Sequence, residues 1–309
     1  MNLSVQLAPK NKLGLRLENP VMTASGTFGY GNEYEHLFDI QSLGALVCKG
    51  TTYEPRPGNS QPRIVETPNG ILNAIGLQNI GIKALIKEKI PVWAKWKVPV
   101  IVNIAGSCVD EYSQIARELD GLSGIRGIEV NISCPNVKAG ALEFGSDPAS
   151  AALVTTAVRK NTSLPVWVKL TPNTSDIVGI ANAVVESGAD ALVLVNTLKA
   201  MAIDIKNRRP ALGNITGGLS GPAVKPVALR MVFEVYKSIK NVPLIGSGGI
   251  MNANDALEFI MAGATAVQVG TANLINTRAP LEVIEGIKTY LLQEKIEDIN
   301  TLIGVAAKN

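Results

Sequence analysis

Residues 166–197 read VWVKLTPNTSDIVGIANAVVESGADALVLVNT. The stretch opens with an apolar run, 166–170, that carries one lysine, Lys169. Ser175-Asp176 then supplies a helix-opening signal, and the segment that follows stops near Gly188. A second apolar run, 191–195, leads into Asn196-Thr197. Parallel strands buried on both faces read as near-continuous Val, Ile, Leu and Ala, and consecutive parallel strands need a crossover, usually a helix.

The same rhythm fills the chain. Strands are expected at 21–24, 45–48, 100–103, 127–131, 166–170, 191–195, 244–246 and 266–270, after a hairpin of 3–7 and 13–17. Asp147-Pro148 opens one helix, as N-cap and first-turn proline. Asn252 to Asp255 opens another that stops at Gly263, and Pro280 opens the last, with Leu281, Ile284, Ile287 and Leu291 at helical spacing. Eight strand-then-helix units predict an α/β fold: a single (β/α)8 TIM barrel with a short N-terminal β-hairpin, one domain over residues 1–309. A doubly wound open sheet is the competing architecture, but no GxGxxG follows the first strand. Stretches 50–79 and 196–223 read as long loops, which in barrels carry function or contact partners.

Composition narrows the chemistry. The formal charge is 29 − 26 = +3, with 46% hydrophobic and 18% charged residues, which is a buried-core composition. No basic stripe argues for nucleic acid, no apolar run approaches the roughly 18 residues of a membrane span, and the N-terminus lacks a secretory signal pattern. There is one histidine, His36, and there are three cysteines, Cys48, Cys108 and Cys134. A multi-histidine zinc site is excluded, and a four-thiolate iron–sulfur cluster cannot be housed in this chain alone. The cysteine usage points to a reducing, cytoplasmic compartment. His36 reads as a solvated residue early in the first helix, so acid–base chemistry should fall to another group.

In a barrel the C-terminal strand ends form the active-site face. The expected strands deliver Ser25, Lys49-Gly50, Asn103, Asn131, Lys169, Asn196-Thr197, Gly248-Gly249 and Gly270-Thr271 to that rim. Paired glycine turns after strands seven and eight suit a phosphate, although ordinary tight turns look the same in isolation. Lys169 and Lys49 each follow an apolar run. A lysine there meets an anion, forms a Schiff base, faces a cofactor or snorkels to the surface. Cys134, in a polar loop just after strand four, is placed to act as nucleophile or base. Cys48 and Cys108 read as small buried hydrophobes.

The residues that carry a family likeness are Ala24-Ser25-Gly26, Lys49-Gly50, NAIGLQN at 73–79, NISCPN at 131–136, Val168-Lys169-Leu170, Asn196-Thr197, the run 217–222, Gly248-Gly249 and Gly270-Thr271. Through them the chain resembles the dihydroorotate dehydrogenases over roughly residues 3–295. The resemblance implies one FMN per chain, its phosphate at Gly248, Gly249, Gly270 and Thr271. Ser25, Lys49, Gly50, Asn103, Asn131, Lys169, Val195 and Gly221 would line the rest of it. It implies dihydroorotate or orotate at Lys49, Asn73, Ala74, Ile75, Gly76, Leu77, Asn131, Asn136, Asn196 and Thr197, with Cys134 as the base. It further implies the soluble class 1, and segments such as 196–204 and 144–148 look like its NAD-linked branch, class 1B. That branch pairs the FMN chain with a subunit carrying FAD and a 2Fe–2S cluster, as a heterotetramer of two plus two built on a homodimer of the FMN chain. Ala141 and Ala200 stand where the pattern leads one to expect glycine. The competing functions are a fumarate-reducing class 1A enzyme, a dihydropyrimidine dehydrogenase-type flavoprotein, a Schiff-base aldolase on a sugar phosphate and a non-enzymatic scaffold.

Overall fold

The computed structural model describes residues 1–133, 135–136 and 142–308. Eight parallel strands form the centre: β1 (Val21–Thr23), β2 (Leu46–Val47), β3 (Val100–Ile104), β4 (Gly127–Asn131), β5 (Val166–Leu170), β6 (Ala191–Leu194), β7 (Leu244–Ser247) and β8 (Ala266–Val269). Each pairs with its neighbours in chain order, and β8 pairs with β1. The ring closes between β1 and β2, where Gly44 N–H donates to Val21 O at 2.8 Å and Met22 bridges Ala45. Sequential order around a closed ring is the singly wound barrel, so the doubly wound alternative falls. Nearly every strand residue is buried, as strands covered on both faces require.

The expected helix signals operate locally. Asp147 caps α2 (Pro148–Arg159) by accepting from Ser150 N at 2.8 Å, and Asp176 caps α3 (Ile177–Glu186) by accepting from Gly179 N at 2.8 Å. Asn252 does the same for α5 (Ala253–Ala262), and Ile284, Ile287 and Leu291 bury one face of α6 (Ala279–Gln293). Helices α1 (Val109–Leu119) and α4 (Lys225–Ser238) follow β3 and precede β7, respectively. The Val5–Gln6 and Arg16–Leu17 strands form the N-terminal hairpin. No described helix is long and apolar enough to cross a membrane.

Two expectations need correction. The first unit has no regular helix. Gly26, Gly29 and Gly31 sit at φ of +88°, +52° and +93°, and the chain turns around a Phe28–Tyr34 stack with ring centroids 3.9 Å apart. His36 is exposed, but in these turns. The second unit's helical stretch, 81–93, widens to a π turn over Leu85–Lys89 just before Pro91, which has no N–H for the ladder.

The two stretches expected as long loops, 50–79 and 196–223, contain a sheet. Ile64–Thr67, Gly70–Asn73, Gly217–Ser220 and Leu198–Ala200 form a four-stranded antiparallel roof in that spatial order. Leu72, Ala74 and Leu212 form a small core of their own, packed by Val65, Ala200, Ala202 and Leu219. Leu72 pairs with Leu219 and Asn73 with Gly218, so alternation puts the apolar pair and the Asn73–Gly218 pair on opposite faces.

Candidate active site

The barrel interior holds four polar side chains from four strands. Lys169 on β5 donates from Nζ to Gln268 Oε1 on β8 at 3.0 Å, and its Nζ lies 3.7 Å from Glu129 Oε1 on β4. Gln268 Nε2 donates to Glu129 Oε2, and Asn103 Nδ2 on β3 donates to Glu129 Oε1 at 2.7 Å. Strands β5 and β8 are not neighbours, so the Lys169–Gln268 bond crosses the interior. Lys169 is 4% exposed, which excludes snorkelling to the surface. Glu129 and Gln268 are absent from the expected site residues. Their signal was the one that marks Lys169: a polar residue inside an otherwise apolar strand.

Above this floor lies a rim of amides. Asn196 Nδ2 donates to Asn131 Oδ1 and to Ser133 Oγ, both at 3.1 Å, while Thr197 N–H donates to Asn196 Oδ1 at 2.8 Å. Tyr112 OH donates to Asn131 O at 2.7 Å, fixing the end of β4 from α1. The roof contributes Asn73, whose Nδ2 donates to Gly218 O at 3.2 Å. Gly218 lies against Thr197 so closely that a Cβ there would collide with the threonine hydroxyl. The structure thus gathers Asn73, Asn131, Asn196 and Thr197.

Lys49 and Gly50 leave β2 beside Asn103, whose Oδ1 would be 2.9 Å from a Cβ at Gly50. Burial pushes the Lys49 ammonium below its ordinary value, and the Arg63 charge adds to this. Arg63, on the chain leading into the roof, was not among the expected site residues. Residues 74–77 pass over the same corner: Asn59 holds Ala74 O and Ile75 O, Gly76 and Leu77 adopt φ of +73° and +53°, and the Leu77 side chain faces Gly50. Cys48 is fully buried, as expected, and burial pushes its thiol up to about 12. Cys108 is only half-buried, because it sits at the N-cap position of α1 rather than inside a strand.

The glycine turns lie where barrels bind phosphate. Gly248 and Gly249 follow β7 at φ of +126° and +80°. A Cβ at Gly249 would come within 2.7 Å of Lys225 Cβ and 2.8 Å of Gly221 O, so only glycine fits. Lys225 Nζ pairs with Asp255 Oδ1 at 2.7 Å, and Asp255 Oδ2 accepts from Met251 N at 2.9 Å, which clasps this turn to α4 and α5. After β8, Thr271 Oγ1 donates to Ser220 Oγ at 2.8 Å, beside Gly221 at φ +96°. Gly270 packs towards Ala24, and the next residue, Ser25, is half-buried. Val195 N–H donates to Ser247 O at 2.7 Å. Cys134 lies outside the described residues. Asn136 is on the strand Pro135–Asn136, paired with Leu142–Glu143.

A closed parallel barrel with a buried lysine, a rim of amides and glycine turns after its last two strands defines a (β/α)8 enzyme working at the C-terminal face. The chain belongs to the dihydroorotate dehydrogenase family, whose model matches residues 8–291. It is 56% identical over 306 residues to a protein of Desulforamulus reducens named dihydroorotate dehydrogenase B (NAD(+)), catalytic subunit, covering 99% of each chain. Proteins of the same name from Desulforudis audaxviator and Citrifermentans bemidjiense are 58% and 56% identical over 293 and 291 residues. The matches cover 95% and 94% of this chain and 95% of each relative.

Proposed function

We propose that the chain is the catalytic subunit of an NAD-linked dihydroorotate dehydrogenase, which oxidises (S)-dihydroorotate to orotate in pyrimidine synthesis. The observation that carries this reading is the pairing of a half-buried ammonium, Lys49, next to Arg63, with the amides of Asn73, Asn131 and Asn196 on one rim. A carboxylate suits the cations, and a cyclic imide, which offers donors and acceptors in one plane, suits the amides. Dihydrouracil has no carboxylate, which disfavours the dihydropyrimidine dehydrogenase-type alternative. The relatives carry NAD(+) rather than fumarate in their name, which favours class 1B over class 1A. Lys169 is hydrogen-bonded to Gln268 and paired with Glu129, an environment that speaks against a Schiff-base role.

The residues fit FMN in their chemistry: glycines at positive φ follow β7, where backbone N–H groups suit a phosphate, and the buried cation Lys169 lies below the rim. Gly248, Gly249, Gly270 and Thr271 would hold its phosphate. Ser25, Lys49, Gly50, Asn103, Asn131, Lys169, Val195 and Gly221 would hold the rest. When bound, FMN supplies the hydride acceptor. Lys49 anchors the substrate carboxylate, the amides hold the ring plane, and Thr197 is braced against Gly218. Cys134 takes the proton from ring carbon 5 as hydride leaves the neighbouring carbon, so this reaction needs both carbons in register at once. A partner subunit carrying FAD and a 2Fe–2S cluster would supply the onward path for electrons to NAD⁺. The assembly is a cytoplasmic heterotetramer of two plus two around a homodimer of this chain.

Turnover of the FMN-loaded chain on dihydroorotate and on dihydrouracil tests the substrate assignment. Dihydroorotate should be oxidised faster; faster oxidation of dihydrouracil would overturn it.

A further inference from the structure

Glu129 touches neither the proposed substrate nor the proposed cofactor, yet it is 0% exposed and accepts hydrogen bonds at the centre of the floor. Its Oε1 accepts from Asn103 Nδ2, its Oε2 accepts from Gln268 Nε2, and Gln268 Oε1 accepts from Lys169 Nζ. Four strands therefore contribute one closed polar set, with one positive and one negative charge. Stability alone does not call for it, because replacing a buried ion pair by apolar residues of similar volume is often neutral or stabilising.

Two consequences follow from the hydrogen-bond pattern. A carboxylate only accepts, so both amides must turn their N–H groups toward Glu129. Asn103 then presents Oδ1 toward Gly50, and Gln268 presents Oε1 to Lys169. Removing the carboxylate releases both orientations. The second consequence is electrostatic. Lys169 comes to the floor already accompanied by its counter-charge at 3.7 Å, in a region shielded from water, where such a field is weakly screened.

We propose that Glu129 is a positioning and charge-balancing residue for the cofactor site: it aligns Lys169, Gln268 and Asn103 and cancels most of the positive field that Lys169 alone would impose. This rests on the reading that FMN binds above the floor. A positive charge favours the electron-rich reduced flavin, so the Glu129–Lys169 pair, rather than Lys169 alone, sets how readily the flavin is reduced.

The test is the two-electron midpoint potential of the FMN-loaded chain, read by equilibration with a redox dye. Glu129→Gln keeps the volume and an acceptor but removes the charge. It should favour the reduced form at least tenfold, about 30 mV for a two-electron couple. Glu129→Met, a second uncharged variant, should shift the potential the same way, and Glu129→Asp, which keeps the charge, should stay within threefold of the unaltered chain. Either keeps the proposal testable if Glu129→Gln alone fails to fold. An unchanged or lowered potential in the uncharged variants would overturn the proposal, as would a tenfold shift in Glu129→Asp. If the unaltered chain cannot be loaded with FMN, the cofactor reading falls and the proposal with it. If it loads and Glu129→Gln shifts nothing, only the proposal falls.

Discussion

Asn196 Nδ2 donates to Asn131 Oδ1 at 3.1 Å, which ties the end of β6 to the end of β4 across the barrel mouth. The bond commits one atom of each amide and so sets which faces remain for a ligand. Asn196→Asp replaces the donor by an acceptor facing another acceptor. Orotate affinity should fall about 10- to 100-fold, the cost of one lost polar contact plus a repulsion. Equilibrium dialysis of orotate against both proteins measures it, and an unchanged affinity would remove this pair from the substrate site.

Cys134→Ser should keep FMN and orotate binding and lose dihydroorotate oxidation by about 10²- to 10⁴-fold at neutral pH, the usual contribution of a positioned base. A serine hydroxyl is a far weaker base than a thiolate. Single-turnover flavin reduction is the readout, and retention of the normal rate would exclude Cys134.

The Lys225–Asp255 clasp predicts a cofactor effect at a distance from the chemistry. Asp255→Asn should weaken FMN retention about tenfold and cost roughly 1–3 kcal/mol of stability, since Asp255 also holds Met251 N. The Asp255 hydrogen bond raises the Lys225 pKa. A raised folded value means the pair's contribution is complete below the ordinary lysine value, near 10.4, and is lost as pH rises through the higher folded value. Unfolding midpoints at pH 7 and pH 9 should therefore show the same difference between variant and unaltered chain.

Glu143 titrates in the opposite sense to a salt-bridged acid. Burial raises its pKa, against the Thr171 hydroxyl and the Lys199 charge, which lower it. The folded state then binds the proton more tightly than the unfolded chain. Its contribution is present below the ordinary glutamate value, near 4.3, and is lost as pH rises through the folded value. Glu143→Gln should thus gain stability relative to the unaltered chain between about pH 4 and pH 7. Denaturant titrations across that range check the slope; a growing deficit for the variant would refute it.

Cys48, pushed up to about 12 by burial, should resist iodoacetamide at pH 8 in the folded chain and react after denaturation. Peptide mass mapping reads this directly.

The barrel was legible because its signals are local: apolar runs for doubly buried strands, and Asp147, Asp176 and Asn252 as caps whose bonds span three residues. The roof was not, because it is held by pairing such as Leu72 with Leu219, between strands of three or four residues weakened by Gly217 and Gly218. The turn signal Pro68-Asn69-Gly70 between two apolar runs was its one local trace. The first helix failed because glycines at positive φ and an aromatic stack override a helical pattern. Among the site residues, Lys169 stood out as a charge in an apolar strand, while Glu129 and Gln268 carried the same mark and gained meaning only once β4 and β5 met β8 across the barrel interior.

The most direct measurement mixes the FMN-loaded chain anaerobically with dihydroorotate and follows the flavin absorbance and the orotate formed. The structure and family predict bleaching with one orotate released per flavin, and negligible NAD⁺ reduction until the partner subunit is added. A flavin that stays oxidised with dihydroorotate would contradict the assignment.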